Sequence, residues 1–137
     1  MAKSPRLKAR ARAVYWFSRR IKIRDCLATT GTLTEGICIT SGRRIRFSQG
    51  DCGHFVPGRA DAVLFDENNA HFQSSSDNRF KQGKWIEYEK ALLSMYGAEE
   101  VQRLKELYYN GFKYSEEEYR DIAKKYRLGF KEICNEY

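Results

Sequence analysis

The run Asp51-Cys52-Gly53-His54-Phe55-Val56-Pro57 sets a histidine on an apolar extended segment that Pro57-Gly58 brings to an end. Alternation along a strand puts Cys52, His54 and Val56 on one face and Asp51, Gly53 and Phe55 on the other. Glycine weakens a strand, so Gly53 marks either a bulge or a close backbone approach. A bulge would swing Asp51 toward His54. Downstream come Glu67-Asn68-Asn69-Ala70-His71-Phe72-Gln73 and Asp77-Asn78-Arg79-Phe80-Lys81. The order is therefore a histidine on a strand, an asparagine in a turn, and a polar residue opening a helix.

These residue types suit phosphodiester cleavage. That reaction needs a base to activate water, a cation to offset charge on the phosphate and leaving oxygen, and a frame to hold both. Imidazole titrates near neutrality, so His54 is the candidate base. Carboxylate and amide oxygens suit a hard cation such as Mg2+ or Mn2+, so Asp51 and Asn78 are the candidate metal ligands. Asn69, in the turn, is placed to orient His54 through its side-chain amide. A histidine on an apolar strand also serves as a hydrogen-bonded core group, and spacing alone does not separate the two roles.

Outward from this centre the chain divides into four parts. Residues 1–10 read as a basic flexible tail, with Lys3, Arg6, Lys8 and Arg10 and no acid. Residues 11–36 read as a basic helix and a loop. Val14, Phe17 and Ile21 make its apolar stripe, and Arg12, Arg19, Arg20, Lys22 and Arg24 its positive face; Cys26 to Gly36 is loop by composition. Residues 37–84 form the core around His54, with strands at Ile37–Thr40 and Arg43–Ser48 and a helix opening among Ser74, Ser75, Ser76 and Asp77. Residues 85–137 are helical. Trp85, Tyr88, Leu92 and Met95 share one helix face and Val101, Leu104, Leu107 and Tyr108 another. A capping box at Ser115 and Glu118 starts the last helix, which Leu128-Gly129 is expected to break. Tyr108, Tyr109, Phe112, Tyr114 and Tyr119 could serve as core, a dimer face or a DNA wedge, and core is the expectation.

Composition sets bounds on the partners. The 137 residues carry a net charge of +7 and a pI of about 9.3, a balance suited to a polyanion such as nucleic acid. Arg19, Arg20, Arg24, Arg43, Arg44, Arg46, Arg59, Arg79, Lys81 and Lys84 flank the proposed site and would grip backbone phosphates without reading sequence. No apolar run is long enough to cross a bilayer, and no signal-peptide pattern is present, so a cytoplasmic protein is expected. The core is modest for one domain, so a homodimer or a bound metal would add stability. The four cysteines, Cys26, Cys38, Cys52 and Cys134, include no Cys-x-x-Cys pair, which excludes an intact four-cysteine zinc site. Cys26 and Cys134 read as free thiols.

Taken together, residues 51–57, the Phe65-Asp66-Glu67-x-Asn69-x-His71-x-Gln73 run and Asn78-Arg79-Phe80-Lys81-x-Gly83 resemble the HNH-type core of the phage NinG/Rap recombination endonucleases. Tyr15-x-Phe17-Ser18-x-x-Ile21-x-x-Arg24-Asp25 and the segment from Tyr88-Glu89 to Met95-Tyr96-Gly97 extend the likeness to roughly residues 7–107. The resemblance implies an α+β fold with a ββα-metal (HNH, His-Me finger) core, a basic N-terminal helix and additional C-terminal helices. It implies a metal-dependent DNA endonuclease acting on branched or single-strand-containing recombination intermediates, in a phage-infected or prophage-carrying bacterial host. His54 falls at the general-base position, Asn69 at the central asparagine and Asn78 at the last metal ligand. His71 matches a family histidine, with catalysis and a hydrogen bond that fixes the loop both open to it. Related proteins carry two Cys-x-x-Cys pairs for a structural zinc. Here those positions read Cys38-Ile39-Thr40-Ser41 and Ser74-Ser75-Ser76-Asp77, so a structural zinc is not expected. Two alternatives stand beside the nuclease: a non-cleaving DNA-binding protein on the same scaffold, and a sequence-specific HNH nuclease.

Overall fold

The computed structural model describes residues 3–137; Met1 and Ala2 of the expected tail lie outside them. The chain folds as mixed α+β, with two small antiparallel sheets among helices. The first helix, α1, runs Pro5–Thr30. Ser4 caps it, its hydroxyl accepting from the Leu7 amide at 3.2 Å, and Pro5 occupies the first turn, where its missing N–H costs nothing. The helix ends at Gly31, whose φ of 72° favours glycine.

Two expectations are corrected here. From Pro5 onward the basic tail is helix, and so is the first part of the loop predicted from Cys26. The reason is tertiary. Ala9 and Ala13 are small enough to pack against Tyr119 and Ala123 of the last helix, α6, Glu116–Glu136. Phe17 and Ile21 pack with Tyr126. Arg6 lies over the Tyr119 ring, 5.3 Å from its centre, and donates to the Tyr119 hydroxyl. Helix α6 is continuous through Leu128-Gly129, contrary to the predicted break, because its capping box and its seat along α1 outweigh one glycine.

Strands β1 (Glu35–Ile37) and β2 (Arg44–Arg46) form one hairpin; β1 starts two residues before the predicted strand at Ile37–Thr40 because residues 39–41 turn, and β2 is shorter than predicted because Phe47–Gln49 turns into a 3-10 helix. Strands β3 (Gly50–His54) and β4 (Ala70–Ser74) form the other. Their register is unbroken: Asp51 pairs with Gln73, Gly53 with His71 and His54 with Ala70. There is no bulge. Gly53 instead marks a close approach, since a Cβ there would overlap Gln73 Oε1.

Between these strands the predicted loop contains a short helix, α2 (Asp61–Leu64), and a 3-10 turn at Glu67–Asn69. Val63 is buried with Phe55, Val56, Tyr88 and Leu92. Buried Asp61 receives Arg10 Nε at 3.2 Å, the Tyr119 hydroxyl at 2.5 Å and the Tyr114 amide at 2.8 Å, tying α2 to both long helices. Helix α3 (Ser75–Phe80) follows β4, capped by Ser74 as expected. A turn at Gln82–Lys84 leads into α4 (Trp85–Tyr96), and α5 (Ala98–Glu106) packs beside it.

Candidate active site

His54 ends β3 half-buried, its ring stacked near Phe17 with centroids 6.4 Å apart. Its Nε2 lies 3.0 Å from the Leu64 carbonyl. A carbonyl only accepts, so Nε2 carries the proton and donates it. The neutral ring therefore keeps its lone pair on Nδ1, which has no hydrogen-bond partner among the described residues. Burial pushes the His54 pKa down, against the carbonyl's opposing pull, so the ring is neutral at neutral pH. A neutral, oriented imidazole with an available lone pair can take a proton.

Asn69 is fully buried and acts one step removed from the histidine. Its Oδ1 accepts from the Val56 amide at 2.9 Å, and its Nδ2 donates to the carbonyls of Val56 at 3.2 Å and Val63 at 3.0 Å. It thereby clamps the chain just past His54 to α2, whose last residue, Leu64, holds the His54 ring. The expected direct orientation of His54 by the Asn69 amide is replaced by this route through the backbone.

The structure brings His54 and Asn78 to one cleft of about 550 Å3, shared with Pro57, Trp85, Tyr108 and Tyr109. Asp51 is not among its lining residues, and regular pairing leaves it on the face of β3 opposite His54. It reaches the cleft through Asn78, whose Nδ2 donates to Asp51 Oδ2 at 3.0 Å. Asp51 also accepts from Ser75 Oγ and from Arg79 Nε and Nη2. Burial works to raise its carboxyl, but the hydrogen bonds from Asn78, Ser75 and Arg79 prevail and hold it below the usual value.

As a cation site the pair fits in part. Cis oxygens on an octahedral Mg2+ at 2.1 Å are about 3.0 Å apart, which matches the Asp51–Asn78 spacing if the amide presents its oxygen. Arg79 would have to leave, which its 64% exposed side chain permits. Among the described residues no group of three histidine, cysteine or acidic side chains gathers at one point, so water and phosphate would fill most positions.

His71 belongs to a different cluster. It is buried, and its Nδ1 donates to Asp25 Oδ2 at 2.9 Å, leaving Nε2 to accept from the Tyr96 hydroxyl at 3.0 Å. Asp25 also receives the Phe72 amide and Arg24 Nε. Arg24 reaches on to the carbonyls of Glu67 and Ala70. Both ring nitrogens of His71 are engaged in holding β4 to α1 and α4. Of the two roles open to it, the hydrogen-bonding one matches this geometry. Arg24 likewise serves the interior rather than presenting itself to phosphate.

The other basic residues are distributed unevenly. Arg19 lies over the rings of Tyr15, Phe47 and Phe130, and Arg20 has a buried Nη1 without a partner among the described residues. Arg44 pairs with Glu35, Arg79 with Asp51 and Lys81 with Asp77. The Arg59 carbonyl accepts from Arg10. Arg43, Arg46 and Arg59 are exposed and Lys84 half-buried.

At the positions 38–41 and 74–77, buried Cys38 acts as a hub. Its sulfur accepts the amides of Ser41 at 3.4 Å and Ser74 at 3.2 Å and lies 3.8 Å from Asp77 Oδ2, which Thr40 Oγ1 meets at 2.7 Å. Burial raises the Cys38 pKa, but hydrogen bonds from Ser41, Thr40 and Ser74 outweigh it and bring the thiol below its usual value. By contrast, burial pushes Cys26 up to about 11 and Cys52 up to about 12, so both remain thiols. Phe80, the last residue of α3, is 83% exposed and does not pack on this cluster.

Several site residues carried no advance signal. Asp25 and Tyr96 lay inside the resemblance without a role. Tyr108 and Tyr109, expected in the core, are exposed on the cleft.

A family model described as the bacteriophage lambda NinG protein matches residues 5–136. Protein ninG of Escherichia phage 933W and protein ninG of Enterobacteria phage VT2-Sa are each 32% identical over 99 residues, 72% of this chain and 48% of the relative. Protein ninG of Escherichia phage lambda is 30% identical over 99 residues, with the same shares covered. The chain thus spans about half the length of the curated relatives it matches. No solved structure matches it.

Proposed function

The chain belongs to the phage NinG family, and from that membership and the cleft at His54 we propose a metal-dependent DNA endonuclease with an HNH-like ββα core. Its substrates are branched or single-strand-containing DNA recombination intermediates. The observation that carries this reading is the His54 ring: Nε2 is fixed on the Leu64 carbonyl, Nδ1 keeps its lone pair, and Asn78 shares the cleft. Strands β3 and β4 with helix α3 supply the two strands and helix that such a core requires.

In this reading His54 Nδ1 takes a proton from water as the water oxygen bonds to phosphorus and the phosphorus–oxygen bond to the leaving group breaks. Nε2 remains donated to Leu64, so the ring turns neither before nor after the transfer. Asp51 and Asn78 would hold Mg2+ or Mn2+, which when bound supplies positive charge beside the phosphate and leaving oxygen. Asn69 keeps the Leu64 carbonyl and the strand end in register. The basic surface provides affinity for the backbone. No helix among the described residues is long and apolar enough to cross a membrane, and a phage protein acting on DNA works in the bacterial cytoplasm.

The non-cleaving alternative has its own supporting observation: Arg79 makes two hydrogen bonds to Asp51, occupying the carboxylate a cation would need. Incubating the protein with labelled duplex, single-stranded and four-way-junction DNA, with Mg2+, Mn2+ or neither, separates the two. The nuclease reading expects metal-dependent cleavage, strongest on the branched or single-strand-containing DNA. Binding without cleavage under every condition would support the alternative.

A further inference from the structure

We propose that Trp85, Tyr108 and Tyr109 form a stacking platform for unpaired nucleotides on the rim of the His54 cleft; the placement of those nucleotides beside a scissile phosphate rests on the nuclease reading above. All three side chains line the same cleft as His54 and Asn78. They are 57%, 63% and 85% exposed, respectively. A domain with a modest core leaves such rings in water at a cost, so three on one rim mark a binding surface. Tyr108 and Tyr109 stand edge to face with centroids 5.2 Å apart, presenting differently oriented faces to a ligand.

The backbone of this rim is also unusual. Gln82, Gly83 and Lys84 are three consecutive left-handed residues, with φ of 54°, 71° and 51°. Two of them are not glycine, and that conformation persists only where the surroundings impose it. Buried Gln73 anchors the turn at its centre, its Nε2 donating to the Gly83 carbonyl at 2.7 Å. The strained turn delivers Trp85 to the cleft and places Lys84 beside it in the chain.

The chemistry selects the occupant. Flat π faces combined with cations suit nucleotides, whose bases stack and whose phosphates are anionic. Lys105, ion-paired with Glu89, lines the cleft, Arg79, Lys81 and Lys84 precede Trp85, and the net charge of +7 favours a polyanion over a neutral apolar partner. Bases in an intact duplex are already stacked on one another and leave no face for a side chain. A single-stranded segment does.

The test is equilibrium binding by the 137-residue chain without divalent metal, read by anisotropy of a labelled single-stranded oligonucleotide, its abasic counterpart and a blunt duplex. The substitutions are Trp85→Ala, Trp85→Phe and the pair Tyr108→Ala with Tyr109→Ala; thermal melting reports folding of each. The alanine variants should bind the single strand about ten-fold more weakly, with Trp85→Phe close to the parent. Duplex and abasic binding should be unchanged by every substitution. Equal losses on single strand, duplex and abasic DNA would overturn the proposal, as would alanine variants that bind the single strand like the parent. A parent dimer that dissociates on substitution would assign the rim to self-association and also overturn it. The two readings fail separately. Selective loss without cleavage by the parent would keep the platform and remove the nuclease, and cleavage by a parent whose alanine variants bind normally would do the reverse.

Discussion

Asn69 holds both backbone polar groups of Val56, accepting from its amide at 2.9 Å and donating to its carbonyl at 3.2 Å. With its third bond, to Val63, this one buried amide fixes the chain just past His54 to α2. Asn69→Ala should leave a buried N–H and two carbonyls without partners and cost about 3 kcal/mol of stability. Asn69→Asp should also destabilise, because a carboxylate accepts from Val56 but cannot donate to either carbonyl. Chemical denaturation measures both. A variant as stable as the parent would show that the clamp is dispensable.

Asp25 is the second internal anchor. Burial works to raise its carboxyl, but hydrogen bonds from His71 and Arg24, with the charge of Arg24, overcome this and hold it below the ordinary carboxylate value. A depressed folded-state value means stability that is fully present above the unfolded value, about 3.9, and lost as pH falls through the folded one. Asp25→Ala should cost about 3 kcal/mol at neutral pH, since it leaves Arg24 and His71 without their shared partner. The parent's stability should fall at acid pH more steeply than the variant's. Parallel pH–stability curves would contradict this.

The positions 38–41 and 74–77 predict a gain of function. Sulfur atoms on a tetrahedral zinc with 2.3 Å bonds are about 3.8 Å apart. Cys38 Sγ already lies 3.8 Å from Asp77 Oδ2 and accepts the amides of both Ser41 and Ser74. The triple substitution Ser41→Cys, Ser74→Cys and Asp77→Cys should therefore bind one equivalent of zinc and raise the melting temperature when it does. Metal content after dialysis, with the parent alongside, checks this. A triple variant that takes up no zinc would mean that the four positions do not converge as described.

The pH dependence of cleavage should report His54. Burial lowers its pKa below 6.5. Protonation removes the Nδ1 lone pair, so cleavage should be fully present above that value and should decline as pH falls through the lowered one. The rate under single-turnover conditions, measured from pH 5 to pH 8, gives the limb. A limb centred above pH 7 would place another group in the role of base.

What the sequence disclosed follows the physics of each element. Alternation around His54, the turn at Asn69 and the Ser74 cap are local signals, and the hairpin and α3 follow from them. The start of α1 was hidden because Ala9 and Ala13 look neutral until Tyr119 and Ala123 pack on them. Gly129 looked like a break because nothing local shows the support that α1 gives α6. At the site, His54 and Asn78 were identifiable from residue chemistry, but their shared cleft with Trp85 and Tyr108 depends on where α4 and α5 come to rest. Asp25 was invisible as an anchor because its partners, His71 and the Phe72 amide, are 46 and 47 residues away in the chain.

The proposed cleavage rests on the His54 ring acting as the base. The direct measurement compares the parent and His54→Ala for cleavage of a labelled four-way junction in Mg2+ or Mn2+, with binding to the same DNA measured in the absence of metal. Loss of a general base should slow cleavage by about 100-fold or more and leave binding within about two-fold. A His54→Ala variant that cuts as fast as the parent would contradict the role given to this residue.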